Sequence, residues 1–179
     1  MRSFLPCAVA LLGAALFLAP GAGAQGARPA ERVLRTWVDP VKLGDGRTVN
    51  WHHTVTYDAV TGETIRTTRL DDGTVVTRVP VRPIRPTLEE IAEARALILA
   101  HPEIAALTAP VPSPLVEGGF VILRNDGGPC GEGSRCLQFE VANPAYTGRD
   151  ALIRYVLVDL RAGRVLDADF QPALEGNRF

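Results

Sequence analysis

The stretch Thr87-Leu-Glu-Glu90, continuing as Ile-Ala-Glu-Ala-Arg-Ala-Leu-Ile98, decides the fold. The Thr87 hydroxyl can accept the free amide three residues on, and the Glu90 carboxylate can reach back, so this is a capping box that opens a helix. The helix is predicted to run from Leu88 to His101, where Pro102 stops it. Leu88, Ile91, Ala94 and Ile98 share one face, with Glu89, Glu90 and Glu93 opposite. Arg95 falls beside the apolar face and must snorkel or pair. Pro102 to Leu107 can add a short further turn, and 109–119, with Pro110, Pro112 and Pro114, reads as a loop.

Four strands are expected downstream: Phe120 to Arg124, Leu137 to Ala142, Ala151 to Asp159 and Arg164 to Phe170. Leu137, Phe139 and Val141 alternate with Gln138, Glu140 and Ala142, the period of a half-buried strand. The run Leu152 to Val158 is apolar on both faces and reads as central. One helix across an antiparallel sheet is the economical way to bury these faces, so 87–172 is expected to be one α+β unit and 173–179 a tail.

Upstream, 33–82 shows no helical period. Val49, Trp51, His53, Val55 and Tyr57 alternate with Asn50, His52, Thr54 and Thr56. Thr64 to Leu70 and Thr74 to Val81 read as further strands, and Val33 to Val38 can supply a first one before Pro40. Gly44-Asp45-Gly46, Asp58 to Gly62 and Asp71-Asp72-Gly73 mark the turns. The expectation is an antiparallel meander of three or four strands, short of large apolar residues and leaning on a neighbour for burial. Pro80, Pro83 and Pro86 make the connection extended and stiff, with 83–86 as the linker proper. Two hairpins echo each other: Tyr57-Asp58-x-x-x-Gly62 and Val158-Asp159-x-x-x-Gly163 both close a strand on Asp and open the next after Gly.

Residues 1–24 read as a signal peptide: Arg2, an apolar run from Phe4 to Leu18, and small residues at Ala22 and Ala24, with 25–32 a loose mature N-terminus. The apolar run is short against the roughly 20 residues of a membrane span. The expected location is therefore periplasmic or secreted, with no stable membrane insertion once the leader is removed. Two cysteines then remain, in Cys130-Gly-Glu-Gly-Ser-Arg-Cys136, and an even count in an exported chain favours a disulfide. A metal site would need more ligands, and a redox pair a tighter spacing beside a helix start. Of 179 residues 22% are charged and the net charge is −1, which gives no global pull toward nucleic acid or anionic lipid.

The order of a helix, a strand and then Ala-Leu-Ile-Arg-Tyr-Val-Leu-Val-Asp159-Leu-Arg-Ala-Gly163-Arg-Val-Leu-Asp-Ala-Asp-Phe170 resembles the small cystatin-like N-terminal domains of copper amine oxidases. It is also similar to PepSY-type exported modules. The resemblance covers 87–172 and implies a helix packed on a four-stranded antiparallel sheet. In the oxidases these domains do not carry the chemistry, and nothing here matches the domain that holds the copper ligands and the quinone-forming tyrosine. A cystatin-like fold raises peptidase inhibition as an alternative function, although the Gln-x-Val-x-Gly inhibitory loop is not present.

Side chains with catalytic potential are few. His52 and His53 are adjacent on a strand and so point to opposite faces. His53 shares a face with Trp51 and Tyr57, where a hydrogen-bonded core histidine is expected. A small exported hydrolase built from His53, Tyr57 and an acidic partner is the other alternative. His101 sits at the helix end, where a cation complements the dipole. Ser113 and Ser134 lie in no nucleophile elbow, and Gly127-Gly128 and Gly131-x-Gly133 lead into no helix start or lysine. Asp167 and Asp169 would share a strand face, as a weak calcium site or, by preference, a solvated edge. No catalytic residue, cofactor or metal ligand is assigned. The expectation is a non-catalytic binding or accessory module with a protein or peptide partner, and not nucleic acid, since the arginines scatter without interleaved aromatics.

Overall fold

A computed structural model describes residues 29–124 and 128–172. The leader at 1–24, the first part of the loose N-terminus (25–28) and the tail at 173–179 lie outside the described residues. The fold is α+β, with two four-stranded antiparallel sheets in sequential order. The first sheet holds β1 (Glu31–Lys42), β2 (Thr48–Asp58), β3 (Thr64–Arg69) and β4 (Val75–Pro80). Helices α1 (Leu88–Ala100) and α2 (Pro102–Thr108) follow. The second sheet holds β5 (Leu115–Ile122), β6 (Cys136–Ala142), β7 (Leu152–Asp159) and β8 (Arg164–Asp167).

The capping box forms as read: the Glu90 amide donates to Thr87 Oγ1 at 3.2 Å and the Thr87 amide to Glu90 Oε2 at 3.0 Å. The helix faces differ from expectation. Leu88 is 80% exposed and Glu90 only 2%, so the buried stripe is Glu90, Ala94 and Ile98, one i, i+4 row. Glu90 is inside because a cation meets it there, as described below. Arg95 stays exposed. Two helices rather than one cover the second sheet, because Pro102 at the first position of α2 starts it as readily as it stops α1. Ala94, Ile98 and Ile104 close over Leu137, Phe139, Val141, Val156 and Val158, all from the inner face of β6 and β7.

Several strand boundaries move. β1 begins at Glu31, inside the stretch expected to be loose, and runs through Pro40, which an edge strand tolerates. β5 starts at Leu115, inside the expected loop, because Gly118 and Gly119 take left-handed φ of 123° and 99° and accommodate a bulge. A side chain at Gly118 would come within 2.8 Å of the Gln138 carbonyl. β8 stops at Asp167 instead of Phe170, and the chain turns so that the buried Phe170 packs on the outer face of β7. Asp167 and Asp169 therefore do not share a strand face, and Asp169 pairs with Arg154 at 3.1 Å.

The echoed hairpins are the same turn. The Gly62 amide donates to Asp58 O and the Gly163 amide to Asp159 O, each at 2.7 Å. Asp58 Oδ1 accepts the Val60 amide, and Asp159 Oδ1 accepts the Arg161 amide. Both glycines have positive φ, 80° and 65°.

Cys130 and Cys136 form the expected disulfide, with Cα atoms 5.6 Å apart. Both are fully buried and join Leu157 and Phe170 in a second small core on the outer face of the second sheet.

The halves meet along a polar seam. Arg135, at 0% exposure, donates to both carboxylate oxygens of Glu90 at 2.9 and 2.7 Å. Its remaining donors reach the carbonyls of Ile84 and Arg85, which pins the proline-rich linker. Tyr57 from β2 donates to the Gly133 carbonyl, and Arg161 donates to the carbonyls of Ala59, Val60 and Gly133. Arg32 on β1 holds Glu93 on α1 at 2.6 Å.

The open edges of both sheets are blunted. β1 has a bulge at Leu34 and carries Pro40; β4 has one at Val76 and ends in Pro80; β5 carries the glycine bulge; β8 is only four residues long. Such devices discourage strand addition, so recognition through a sheet edge is disfavoured.

Candidate functional site

Strand alternation sends Trp51, His53, Val55 and Tyr57 of β2 to one face of the first sheet, and His52, Thr54 and Thr56 to the other. Register then sets their neighbours. His53 lies between Trp37 of β1 and Thr68 of β3, Val55 between Arg35 and Arg66, and Trp51 opposite Asp39. One end of this face, around Tyr57, packs against the linker through Val81 and Ile84. The other end carries the two indoles, each half-buried.

His53 is the centre of that second end. Its residue exposure is 7%, and Nδ1 lies 2.9 Å from the buried Thr68 Oγ1. The Trp37 ring stacks on the imidazole at 4.6 Å between centroids and 17° between planes. Trp51 meets it edge-on at 6.3 Å. Trp37 is itself fixed, because its indole N–H donates to Asp39 Oδ2 at 3.0 Å. The same oxygen lies 3.2 Å from His53 Nε2, but the two are not aligned for a hydrogen bond, and Nε2 is left without a partner. The Arg35 guanidinium lies 5.0 Å above the Trp37 ring. Arg66 Nε is also buried without a hydrogen-bond partner on this face. Buried polar groups are nearly always satisfied, so two orphans on one face call for an explanation.

Of the three groups read together in the sequence, the structure joins two. His53 meets an acidic residue, Asp39. Tyr57 instead points to the seam, where burial raises its pKa above the ordinary value and the Arg161 charge opposes that rise. The hydroxyl that does meet His53 belongs to Thr68, one of three threonines in β3, and only the β2–β3 register singles it out. Arg35 and Arg66 were missed for the same reason.

The remaining candidates resolve as structure. His52, on the opposite face, pairs with Asp71 at 2.6 Å. The His101 amide caps α1 by donating to Ile98 O, and its ring Nδ1 is buried without a partner. Ser134 Oγ is buried. Ser113 sits in an exposed turn at φ 53°. Asp72 accepts the Thr74 amide, which lowers its pKa. Among the described residues no group of three or more His, Cys, Asp or Glu side chains is placed to hold a metal ion. No helix among them is long and apolar enough to cross a membrane. A cleft of about 610 Å³ opens at the seam, lined in part by Glu63, Val81, Pro83, Leu123 and Glu132, and His53 is not in its wall.

No family model matches the chain. No curated protein matches it significantly.

Proposed function

We propose that the protein is an exported, non-catalytic binding module whose working surface is the Trp37–His53–Thr68 face of the first sheet. The observation that carries this reading is the closed state of the Thr68–His53 hydroxyl–imidazole pair. Thr68 is 2% exposed and its Oγ1 is bonded to His53 Nδ1, so the hydroxyl has no approach to a substrate carbonyl. The imidazole is held between Thr68 and the Trp37 ring, with only its Nε2 edge directed toward the exposed Asp39. A rigid aromatic surface with a few convergent polar groups suits recognition, not turnover. The disulfide agrees with work outside the reducing cytosol.

The test has two arms. Ester, amide and phosphate-ester substrates are offered to the wild type and to His53→Gln, and no turnover that the substitution removes is expected. In parallel, extract from the exported fraction is titrated into isotope-labelled protein. Shifts are expected at the Trp37 and Trp51 indole N–H signals. Turnover lost in His53→Gln, or shifts confined to the seam cleft, would overturn the reading.

A further inference from the structure

We infer that this face binds a sugar acid, with a pyranose ring packed on the indoles and a carboxylate held between Arg35 and Arg66. The inference rests on the binding-module reading and names its ligand class. Arg35 and Arg66 flank Val55 in one cross-strand row, which separates their backbones by about 10 Å, two strand spacings. Side chains of that length can converge on one carboxylate, and the planar guanidinium is the group best matched to it. Arg35 rests over Trp37, and Arg66 has an unpartnered buried Nε, so no carboxylate of the protein accepts from that nitrogen. The adjacent row supplies His53, nine-tenths buried, whose Nε2 makes no hydrogen bond and faces the exposed Asp39 carboxylate at 3.2 Å. Asp39, beside it, is a carboxylate whose second oxygen is free to accept from ring hydroxyls.

The aromatic geometry distinguishes a sugar from other anions. The C–H bonds on a pyranose face pack against a flat indole. Trp37 is fixed by His53 on one side and by its N–H bond to Asp39. When a ring docks, Arg35 leaves the indole for the carboxylate, and the ring takes its place. An extended peptide would seek backbone partners at a sheet edge, and the edges are blunted. The site is a sheet face whose backbone groups are already paired within the sheet, so recognition must come from side chains. This ligand class differs from the protein or peptide partner expected from the sequence, and the glutamate-rich peptide below decides between them.

The full chain is titrated with four probes: galacturonic-acid oligomers, neutral galactose oligomers of equal length, a glutamate-rich peptide and inorganic phosphate. Tryptophan emission and the ¹⁵N shift of His53 Nε2 are the readouts. The expected result is a saturable change in both with the uronic-acid oligomer, at least about tenfold weaker with the neutral one, and weakened by salt. Arg66→Gln should bring the acidic oligomer down to the neutral one, and Trp37→Leu should weaken both. Circular dichroism of each variant confirms folding, and Arg78→Gln, on the opposite face, serves as a control with unchanged affinity. Equal response to phosphate, an equal or stronger response to the peptide, or no response to either oligomer would overturn the inference. If extract shifts the indoles while both oligomers do not, the sugar acid fails and the binding module stands. His53-dependent turnover would remove both.

Discussion

The two sheets have one topology and opposite economies of burial. Each is a four-stranded antiparallel meander with an Asp-x-x-x-Gly hairpin, Asp58 to Gly62 in one and Asp159 to Gly163 in the other. The second sheet is covered on both faces: two helices on the inner side, the disulfide loop and Phe170 on the outer. The first has a core of only Leu34, Val55 and Tyr57, assisted by the linker, and its opposite face mixes threonines and charged residues with the exposed Val33 and Val38. Local turn chemistry therefore specifies a meander in both places, and coverage decides which one becomes scaffold. The half with surface to spare is the half that presents Trp37, Trp51 and His53.

The largest expected effect breaks the link between the sheets. Arg135→Ala leaves the Glu90 carboxylate buried and unpaired, and should cost roughly 3–5 kcal/mol in urea unfolding. The same variant should lower hydrogen-exchange protection in β1–β4 more than in β6 and β7. Replacing both partners, as Glu90→Leu with Arg135→Met, should recover most of that loss.

The next pair compares the two cores with one substitution. Leu137→Ala, at 0% exposure in the larger core, should cost about 4 kcal/mol by chemical denaturation, and Leu34→Ala, in a bulge of β1, about 2 kcal/mol. Equal losses would contradict the contrast between the sheets. Removing the disulfide with Cys130→Ser and Cys136→Ser should cost about 2 kcal/mol, as fits a small closed loop, and should lower exchange protection at the Tyr57 end of β2, which bonds to Gly133 inside that loop.

Turn glycines give a smaller, sharper comparison. Gly73→Ala has open space and pays only for its φ of 84°, about 1 kcal/mol. Gly62→Ala also runs into the Gly133 backbone, so its melting temperature should fall further and the seam should loosen. The smallest effect is acid sensitivity. Amides of Thr61 and Val60 hold the Asp58 pKa below its ordinary 3.8, and the Thr74 amide does the same for Asp72. A lowered folded pKa adds stability above 3.8 that is lost as pH falls through the folded value. Thermal melts should therefore decline below about pH 4, and Asp58→Asn should flatten that decline.

Where sequence reading succeeded, the determinant was local. The capping box at Thr87, the hairpin pairs Asp58–Gly62 and Asp159–Gly163, the alternation in β2 and β6, and the cysteine pair all act within a few residues. Where it failed, the determinant lay far along the chain. Glu90 looked like a solvent-facing acid on helical periodicity, yet it is buried because Arg135, 45 residues away, arrives beside it. The first half of β5, from Leu115 to Gly119, read as part of the loop that carries Pro110, Pro112 and Pro114, yet its paired glycines bend a strand there. The candidate site was half visible: His53 and its flanking indole Trp51 follow from alternation along β2. Asp39, Thr68, Arg35 and Arg66 required the β1–β2 and β2–β3 registers.

The amino-acid sequence by itself determined the antiparallel α+β character, the helix start, the turns and the covalent staple, since each depends on backbone preferences and short-range side-chain bonds. Tertiary structure alone decided that Arg135 neutralises Glu90 in the interior, that Tyr57 serves the seam, and that Thr68 and Asp39 converge on His53. Those outcomes depend on strand register and on the docking of one sheet beside the other. Such long-range choices are made by the burial of whole faces, a quantity no short window of residues contains.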